Sequence, residues 1–287
     1  MKNNSPIFAK PPSDNILLED CQFYHVQDIP GLSEPTKGSF DLRKGVNEYL
    51  GCVDFLNKTV LELGPASGYI TFYMESLGGK VTCIDLSTEK DSWDIVPDCH
   101  HNWKIKGRYH MNNLKKVQNA FWYAYKALNS KAKVIYSHIN NLPVDIGMYD
   151  VSLMSLVLLH LQNPFKAIQN MLRHTKEKAI VVEFVNRTGV LSIKTKKNFK
   201  NLLQYLKQII SPRLPIIEFY PKLNGNRHAE IDTWWKISPE YIVNIASILG
   251  FEKSSINYHV QYHNGYPLDM FTVVCERTVP IENCNYN

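Results

Sequence analysis

The sequence contains no apolar run that approaches the roughly 20 residues a membrane-spanning helix needs. Residues 1–5 are polar and are not followed by the apolar core of a signal peptide. The six cysteines include no C-x-x-C pair, which favours reduced thiols over a disulfide framework. No dense block of lysine and arginine accompanies the net charge of +5, so a polyanionic partner is permitted but not indicated. We therefore expect a cytoplasmic protein without a membrane segment.

Three kinds of ligand-binding signature are also missing. The glycine turn within residues 60–69 has the spacing E-x-G-x-x-x-G, so the three-glycine dinucleotide fingerprint is incomplete. No Lys-Ser or Lys-Thr pair follows the turn to bind a triphosphate. Histidines gather at Cys99–His101 and His110, but adjacent ligands and one distant histidine fit no standard zinc spacing. No metal site is predicted.

A strand–turn–helix–strand unit is present instead. Residues 60–63 have the character of a buried strand, and an apolar, aromatic-rich helix is predicted from Tyr69 to Leu77. A second strand, residues 80–84, ends in Asp85, about twenty positions beyond the turn, an arrangement that wraps a nucleotide-like ligand. The chain of 287 residues suits one large domain, or a domain with a sizeable insertion.

Residue types in this unit indicate the ligand. Gly64 and Gly68 let the backbone approach a ligand where a Cβ atom would collide. Asp85, at the end of a strand, can accept hydrogen bonds from both hydroxyls of a ribose. Glu62 precedes the first glycine and suits a cationic ligand better than a pyrophosphate. A plain structural turn in another α/β protein is the poorer explanation of the three features together.

This stretch resembles motif I of the class I S-adenosylmethionine-dependent methyltransferases, which implies S-adenosyl-L-methionine as the cofactor. Upstream, the order Tyr24-His25, Pro35, Asp41-x-Arg43 is similar to the leader of the group that includes the tRNA wobble-uridine carboxymethyl-transferring enzymes, a leader that closes over the cofactor. The alternative is an extension that packs its aromatic residues on the sheet edge. The cofactor-binding residues so implied are Glu62, Gly64, Pro65, Ala66, Gly68, Tyr69, Asp85, Leu86, Asn140, Ser155, Tyr24 and Arg43.

Alternation of strands and helices continues to residue 184 and predicts a doubly wound, mostly parallel α/β sheet. Ligands of such sheets bind beyond the carboxyl ends of the strands, where Gly64, Asp85, Asn140, Ser155 and Glu183 would converge. The resemblance implies seven strands, the last antiparallel. We predict an N-terminal arm and lid (1–41), a cofactor-binding core (42–185), a substrate-side insertion (186–236) and a C-terminal part that completes the sheet (237–287).

The predicted reaction is methyl transfer to a small-molecule acceptor, O- or N-directed, by in-line displacement. The order Tyr149-Asp150, His160, Pro164 is similar to motif IV of small-molecule and wobble-uridine methyltransferases, and His160 is the first candidate for a general base. The alternative is a structural histidine. His228 is the second candidate. The predicted substrate-binding residues are Arg227, Trp234, Trp235 and His25, and the alternative is a structural flap whose tryptophans pack on the sheet.

Two other functions stay open at this stage. RNA modification follows from the likeness of the leader, and the modest charge disfavours it. A nucleotide-binding module without transfer activity belongs to a different class and would bind NAD(H) rather than the sulfonium. The sequence indicates neither the acceptor nor the oligomeric state.

Overall fold

A computed structural model describes residues 8–13, 15–88, 94, 103–143, 145–185, 214–221 and 232–284. The Cys99–His101 cluster and two of the predicted acceptor-side residues, Arg227 and His228, lie outside these ranges. Within the described residues, no helix combines the length and apolarity needed to cross a membrane.

Ten strands and five α-helices make up the described fold. The strands are β1 Phe40–Asp41, β2 Thr59–Leu63, β3 Lys80–Asp85, β4 Lys133–Tyr136, β5 Tyr149–Ser155, β6 Thr175–Phe184, β7 Ile217–Phe219, β8 Trp235–Ile237, β9 Lys253–His263 and β10 Tyr266–Glu276. The helices are α1 Val46–Tyr49, α2 Tyr69–Ser76, α3 Trp103–Ala127, α4 Pro164–Arg173 and α5 Pro239–Ile248.

Eight of the strands form one sheet in the order β1-β9-β10-β6-β5-β2-β3-β4. Its centre, from β4 to β6, is parallel, whereas β10 lies antiparallel between β6 and β9. The doubly wound, mostly parallel sheet and its late antiparallel strand are therefore confirmed. Strand order reverses between β2 and β5, and in open α/β sheets this reversal is where ligands bind.

The eighth strand differs from the seven expected and comes from the segment before the core. Phe40 and Asp41 pair antiparallel with His263 and Tyr262 at the edge of β9. At the opposite edge, the Ala9 N–H donates to the Val134 carbonyl of β4 at 2.7 Å. The leader, defined here as the described residues between 8 and 41, therefore runs from one sheet edge to the other.

Two helices have other bounds than the sequence predicted. A helix was expected from Leu42 to Phe55, but α1 spans only Val46–Tyr49 because Gly51 and Cys52 adopt left-handed backbone angles of φ +66° and +56°. An irregular segment was expected over residues 87–113, yet α3 already begins at Trp103. No proline interrupts residues 103–127, and richness in histidine and aromatic residues does not prevent a helix.

Helices cover both faces of the sheet, so both faces of its central strands are buried and mostly apolar rather than alternating between apolar and polar. On β2, Val60 packs in the cluster formed with α2, α3 and the leader, whereas Leu61 and Leu63 pack in the cluster formed with α4 and α5. Proline at the first position and a side-chain cap begin both helices of the second cluster. Two-sided packing of this kind leaves the carboxyl ends of the strands as the place where polar groups converge.

Candidate cofactor and active site

The glycine turn connects β2 to α2 at the reversal of strand order. Gly64, Ala66 and Gly68 have φ of +83°, +48° and +86°, a backbone conformation that favours glycine. A Cβ atom on Gly64 would lie 2.6 Å from Cγ2 of Val157, and one on Gly68 would lie 2.5 Å from the Phe72 ring. From the sequence, we expected both positions to be glycine so that a ligand can approach the backbone. In the structure, a Cβ atom at either position would collide with protein side chains, which also requires glycine there.

Glu62 lies beneath this turn and is 2% exposed. Its carboxyl accepts a hydrogen bond from the Thr71 hydroxyl at 2.5 Å, and the Cys83 thiol lies 3.7 Å away. Burial raises the pKa of Glu62 to about 7. The prediction that Glu62 favours a cationic ligand stays a prediction. The described neighbours that shift the pKa of this carboxyl are uncharged (Thr71, Cys83) or acidic (Asp85, Glu75).

Asp85 ends β3 and is half-buried beside the turn. One carboxyl oxygen accepts from the Leu86 N–H at 2.8 Å, and the other accepts from Nε2 of Gln118 at 3.1 Å. Burial raises the pKa of Asp85 to about 6. The sequence did not reveal Gln118, because its contact with Asp85 is 33 positions away and its burial on α3 is visible only in the structure.

The loop after β4 contains a 3₁₀ turn, Ile139–Asn141, capped by the His138 side chain, whose Nδ1 accepts from the Asn140 N–H at 3.1 Å. Oδ1 of Asn140 is buried and has no hydrogen-bond partner among the described residues. Leaving a buried acceptor unpaired costs about 1–3 kcal/mol. Asn140 therefore presents an acceptor that a ligand amino group can satisfy, and its predicted contact with the cofactor stays a prediction.

Near the end of β5 lie Tyr49 and Glu183, two residues that were not predicted as site residues. The Tyr49 hydroxyl of α1 is hydrogen-bonded to the Ser155 hydroxyl. Leu156 then takes a φ of +53°, and the Leu158 N–H donates to Oε1 of Glu183 at 3.1 Å. Glu183 is the penultimate residue of β6 and is 3% exposed, and burial raises its pKa to about 8. The sequence placed Glu183 at this end of the sheet but assigned it no role.

His160 closes the 3₁₀ turn Leu158–His160 after β5. Its Nδ1 lies 2.6 Å from the carbonyl oxygen of Asp232, a pure acceptor, so Nδ1 carries the ring proton in the neutral form. The ring's lone pair is then on Nε2, the nitrogen that a general base uses. His228, the second candidate base, lies outside the described residues.

The two tryptophans of the returning segment bind protein carbonyls. Trp234 is 8% exposed and donates from Nε1 to the Asp94 carbonyl at 2.6 Å, while Trp235 donates to the Leu161 carbonyl at 2.9 Å. The Asp94 carboxyl in turn accepts from the Gln162 N–H at 2.8 Å. These contacts favour an anchoring role for the indoles, and their predicted contact with an acceptor stays a prediction.

The leader is bound to the glycine turn through Ser67, which is fully buried. The Ser67 hydroxyl lies 3.1–3.2 Å from the N–H groups of Tyr24 and His25 and from Nε2 of Gln27. The same Nε2 also donates to the Ser67 carbonyl at 2.7 Å. Ser67 and Gln27 were not predicted, because they are 40 positions apart in the sequence and no local pattern indicates that these two common polar residues meet.

His25 and Tyr24 are packed among aromatic rings above this contact. The His25 ring is 5% exposed and lies 5.8 Å from Tyr69 and 6.3 Å from Phe40 between ring centroids. Its Nδ1 has no partner among the described residues, and burial lowers the pKa of His25 to about 3, so the ring is neutral. Tyr24 stacks on Phe40 at 5.0 Å, and burial raises its pKa well above the usual value.

Arg43, directly after the leader, pairs with two carboxyl groups of the leader. Its Nε and Nη2 contact the two carboxyl oxygens of Asp41 at 2.9 Å each, and Nη1 lies 3.2 Å from Asp28. The predicted cofactor contact of Arg43 stays a prediction. The remaining predicted residues, Pro65, Ala66, Tyr69 and Leu86, all lie on or directly beside the glycine turn and the end of β3.

Replacing Ser67 by alanine is expected to release the leader from the turn. The change removes the acceptor of two backbone N–H groups and of Gln27, and each buried donor left unpaired costs about 1–3 kcal/mol. Proteolysis within residues 25–40 should accelerate and the melting temperature should fall. Ser76→Ala, on the exposed end of α2, is the matched control. Unchanged cleavage would mean that aromatic packing alone holds the leader.

No protein-family model matches the chain, and no curated protein matches it. Solved structures do. An S-adenosylmethionine-dependent methyltransferase from Methanosarcina mazei is 15% identical over 82% of this chain and 97% of that chain, with a TM-score of 0.49. The 1,6-didemethyltoxoflavin-N1-methyltransferase of Burkholderia thailandensis, with 1,6-didemethyltoxoflavin and S-adenosylhomocysteine bound, is 10% identical over 83% of this chain and 78% of that chain, with a TM-score of 0.48.

Magnesium protoporphyrin IX methyltransferase from Synechocystis, with S-adenosylhomocysteine bound, is 14% identical over 83% of this chain and 82% of that chain, with a TM-score of 0.45. At these identities the likeness concerns the fold alone.

Proposed function

We propose that this protein transfers a methyl group from S-adenosylmethionine to a small-molecule acceptor. The observation that carries the proposal is the set of groups at the reversal of strand order. A tight glycine turn, the Asp85 carboxyl and the unpartnered Asn140 oxygen follow three neighbouring strands, β2, β3 and β4. Their order along the sheet matches the order of methionine, ribose and adenine in the cofactor.

The residues present fit this cofactor. Each oxygen of Asp85 accepts one hydrogen bond from the protein, and a carboxylate has about four acceptor positions, so both ribose hydroxyls can still bind. Oδ1 of Asn140 supplies the acceptor that an adenine amino group needs. Glu62 directly precedes the turn, and because burial raises its pKa to about 7 it carries only part of a negative charge near neutral pH.

When bound, the cofactor supplies an electrophilic methyl group whose sulfur leaves as a neutral thioether. The chain must therefore orient the acceptor, exclude water and, for a hydroxyl acceptor, remove a proton. His160 is the base in this proposal, since the Asp232 carbonyl holds Nδ1 in the protonated state and leaves the lone pair on Nε2. The bond from Leu158 to Glu183 positions the turn that carries His160.

The proposal is tested at the ribose contact. Asp85→Ala should weaken binding of S-adenosylmethionine and S-adenosylhomocysteine tenfold or more, because hydrogen bonds to a charged group are worth about 1.5–3 kcal/mol each. Calorimetric titration measures the effect, and Asp54→Ala, at the opposite end of the sheet, is the control. Unchanged affinity would remove Asp85 from the site. Binding of NAD(H) without binding of either sulfur ligand would favour the non-catalytic module.

The acceptor is then found with labelled cofactor in a cell extract. A mass shift of one methyl group on a small molecule supports the proposal, and label in the RNA fraction supports the kinship with the wobble-uridine enzymes suggested by the leader. Within the described residues, the orders Tyr24-His25, Pro35, Asp41-x-Arg43 and Tyr149-Asp150, His160, Pro164 carry that kinship.

A further inference from the structure

Asp94 lies between β3 and α3, and its polar atoms contact three separate segments of the chain. Oδ2 accepts from the Gln162 N–H at 2.8 Å, Oδ1 lies 3.5 Å from Nε2 of His138, and the backbone carbonyl accepts from Nε1 of Trp234 at 2.6 Å. These partners follow β4, follow β5 and precede β8. In the sheet, β2 and β3 lie between β5 and β4, so one residue joins loops that the sheet keeps apart.

The contact with His138 leads to the unpartnered oxygen of Asn140. Nδ1 of His138 accepts from the Asn140 N–H at 3.1 Å, so in the neutral ring the proton is on Nε2, the nitrogen that faces Asp94. His138 caps the 3₁₀ turn that carries Asn140, whose buried Oδ1 has no partner among the described residues. The Asp94 carboxylate therefore fixes the tautomer of the ring that holds this turn.

The other two contacts of Asp94 lie on either side of the bond that orients His160. That bond joins Nδ1 of His160 to the Asp232 carbonyl at 2.6 Å. Gln162 is two residues beyond His160, and Trp234 is two residues beyond Asp232. The Trp234 N–H also donates, at 2.8 Å, to the carbonyl of the residue before His160. Asp94 thus binds both segments that bring the ring and its carbonyl partner together.

Both oxygens of Asp94 are needed for these contacts. Its side chain is only 18% exposed. Burial by itself would raise the pKa of Asp94, but hydrogen bonds from His138 and from the Gln162 N–H lower it below the usual value, so the group is ionised near neutral pH. An ionised carboxylate accepts at both oxygens, whereas an asparagine has one acceptor and one donor. A neutral replacement therefore loses one of the two side-chain contacts.

We infer, building on the proposed function, that Asp94 is a positioning residue that holds Asn140 and His160 in one arrangement. Through His138 its carboxylate sets the turn that offers an acceptor to the adenine. Through Gln162 and Trp234 it sets the turn whose His160 ring serves the methyl acceptor. The two ends of the site are thereby built as one unit, although their residues come from separate loops.

Nitrogen NMR of the histidine rings tests this inference without any ligand. At a pH where both rings are neutral, wild-type His138 should be protonated on Nε2 and His160 on Nδ1. In Asp94→Asn, at least one of the two rings should lose its single tautomer. Asp150→Asn is the matched control, because its side chain is 19% exposed, accepts from a backbone N–H and lies at the opposite end of the sheet. A different wild-type tautomer at either ring, or unchanged rings in Asp94→Asn, overturns the inference.

A double-mutant cycle tests the link to Asn140 by calorimetric titration with S-adenosylhomocysteine. Asp94→Asn should weaken binding roughly threefold to tenfold, the value of about one hydrogen bond. In the Asn140→Ala background the same change should cost almost nothing more, because Asp94 acts through Asn140. Losses that add, or no loss in Asp94→Asn, overturn the inference. Absence of binding to the wild-type protein overturns the proposed function instead, and the ring tautomers still decide the inference.

Discussion

Gly64→Val is expected to lower the affinity for S-adenosylmethionine at least about a hundredfold, which corresponds to about 2.7 kcal/mol. Valine is strained at the φ of +83° found here, and its Cβ would lie 2.6 Å from Cγ2 of Val157. Relief of that contact requires Val157 to leave its rotamer or the glycine turn and the segment after β5 to separate. Both border the proposed cofactor site, so binding should suffer more than folding.

Alanine variants separate backbone strain from the collision. Gly64→Ala suffers both effects, whereas Gly147→Ala has a similar φ of +90° and no atom within 4 Å of its new Cβ. If the collision matters, Gly64→Ala loses affinity and Gly147→Ala does not, although both lose some stability. Adding Val157→Ala to Gly64→Ala removes the obstructing methyl group and should recover most of the affinity. Calorimetric titration with S-adenosylhomocysteine measures all three variants, and equal losses in all of them would contradict this account.

The sequence predicted the part of the site whose residues lie close together along the chain. Strand, glycine turn, helix and Asp85 follow one another within 26 residues, from Val60 to Asp85, so pattern and spacing suffice to place them on one edge of the sheet. The doubly wound, mostly parallel sheet was equally accessible because strands that alternate with helices favour it. Caps such as Asn163-Pro164 and Ser238-Pro239 mark their helices in the same local way.

The contacts that the sequence did not reveal join distant residues of ordinary type. Ser67 and Gln27 are 40 positions apart, and Tyr49 and Ser155 are 106 positions apart. Ala66 and Leu156 adopt positive φ although neither residue type signals it, and they do so on the two loops that meet at the reversal of strand order. Strained backbone at such a place is imposed by tertiary packing, which residue patterns do not encode.

Acidification is expected to destabilise the protein through buried neutral histidines, of which His259 is the best test. Nε2 of His259 lies 2.9 Å from the Thr272 hydroxyl, and Nδ1 lies 3.0 Å from Nε2 of Gln261. The Thr272 hydroxyl donates to the Tyr49 carbonyl at 2.8 Å, so Nε2 of His259 must donate to Thr272 and Nδ1 must accept from Gln261. Protonation of the ring would place two donors face to face at Gln261.

The sign of the effect follows from the lowered pKa. Burial lowers the pKa of His259 from 6.5 to about 4, so below about pH 6.5 the unfolded chain takes up a proton that the folded chain does not. The stability that this neutral ring contributes is complete above pH 6.5 and is lost, at about 1.4 kcal/mol per pH unit, as the pH falls toward 4. Buried His25, with a pKa of about 3, acts in the same direction.

The effect of His259→Gln on the free energy of unfolding should therefore depend on pH. A glutamine amide can accept from Gln261 and donate to Thr272, but it cannot take up a proton, so the variant loses some packing and keeps its stability in acid. Urea unfolding from about pH 7 to about pH 4 should show the variant less stable than wild type at neutral pH, with a shallower decline below about pH 6.5. His263→Gln, a half-exposed position on the same strand, is the matched control and should run parallel to wild type. Parallel curves for His259→Gln as well would show that its protonation is not linked to folding.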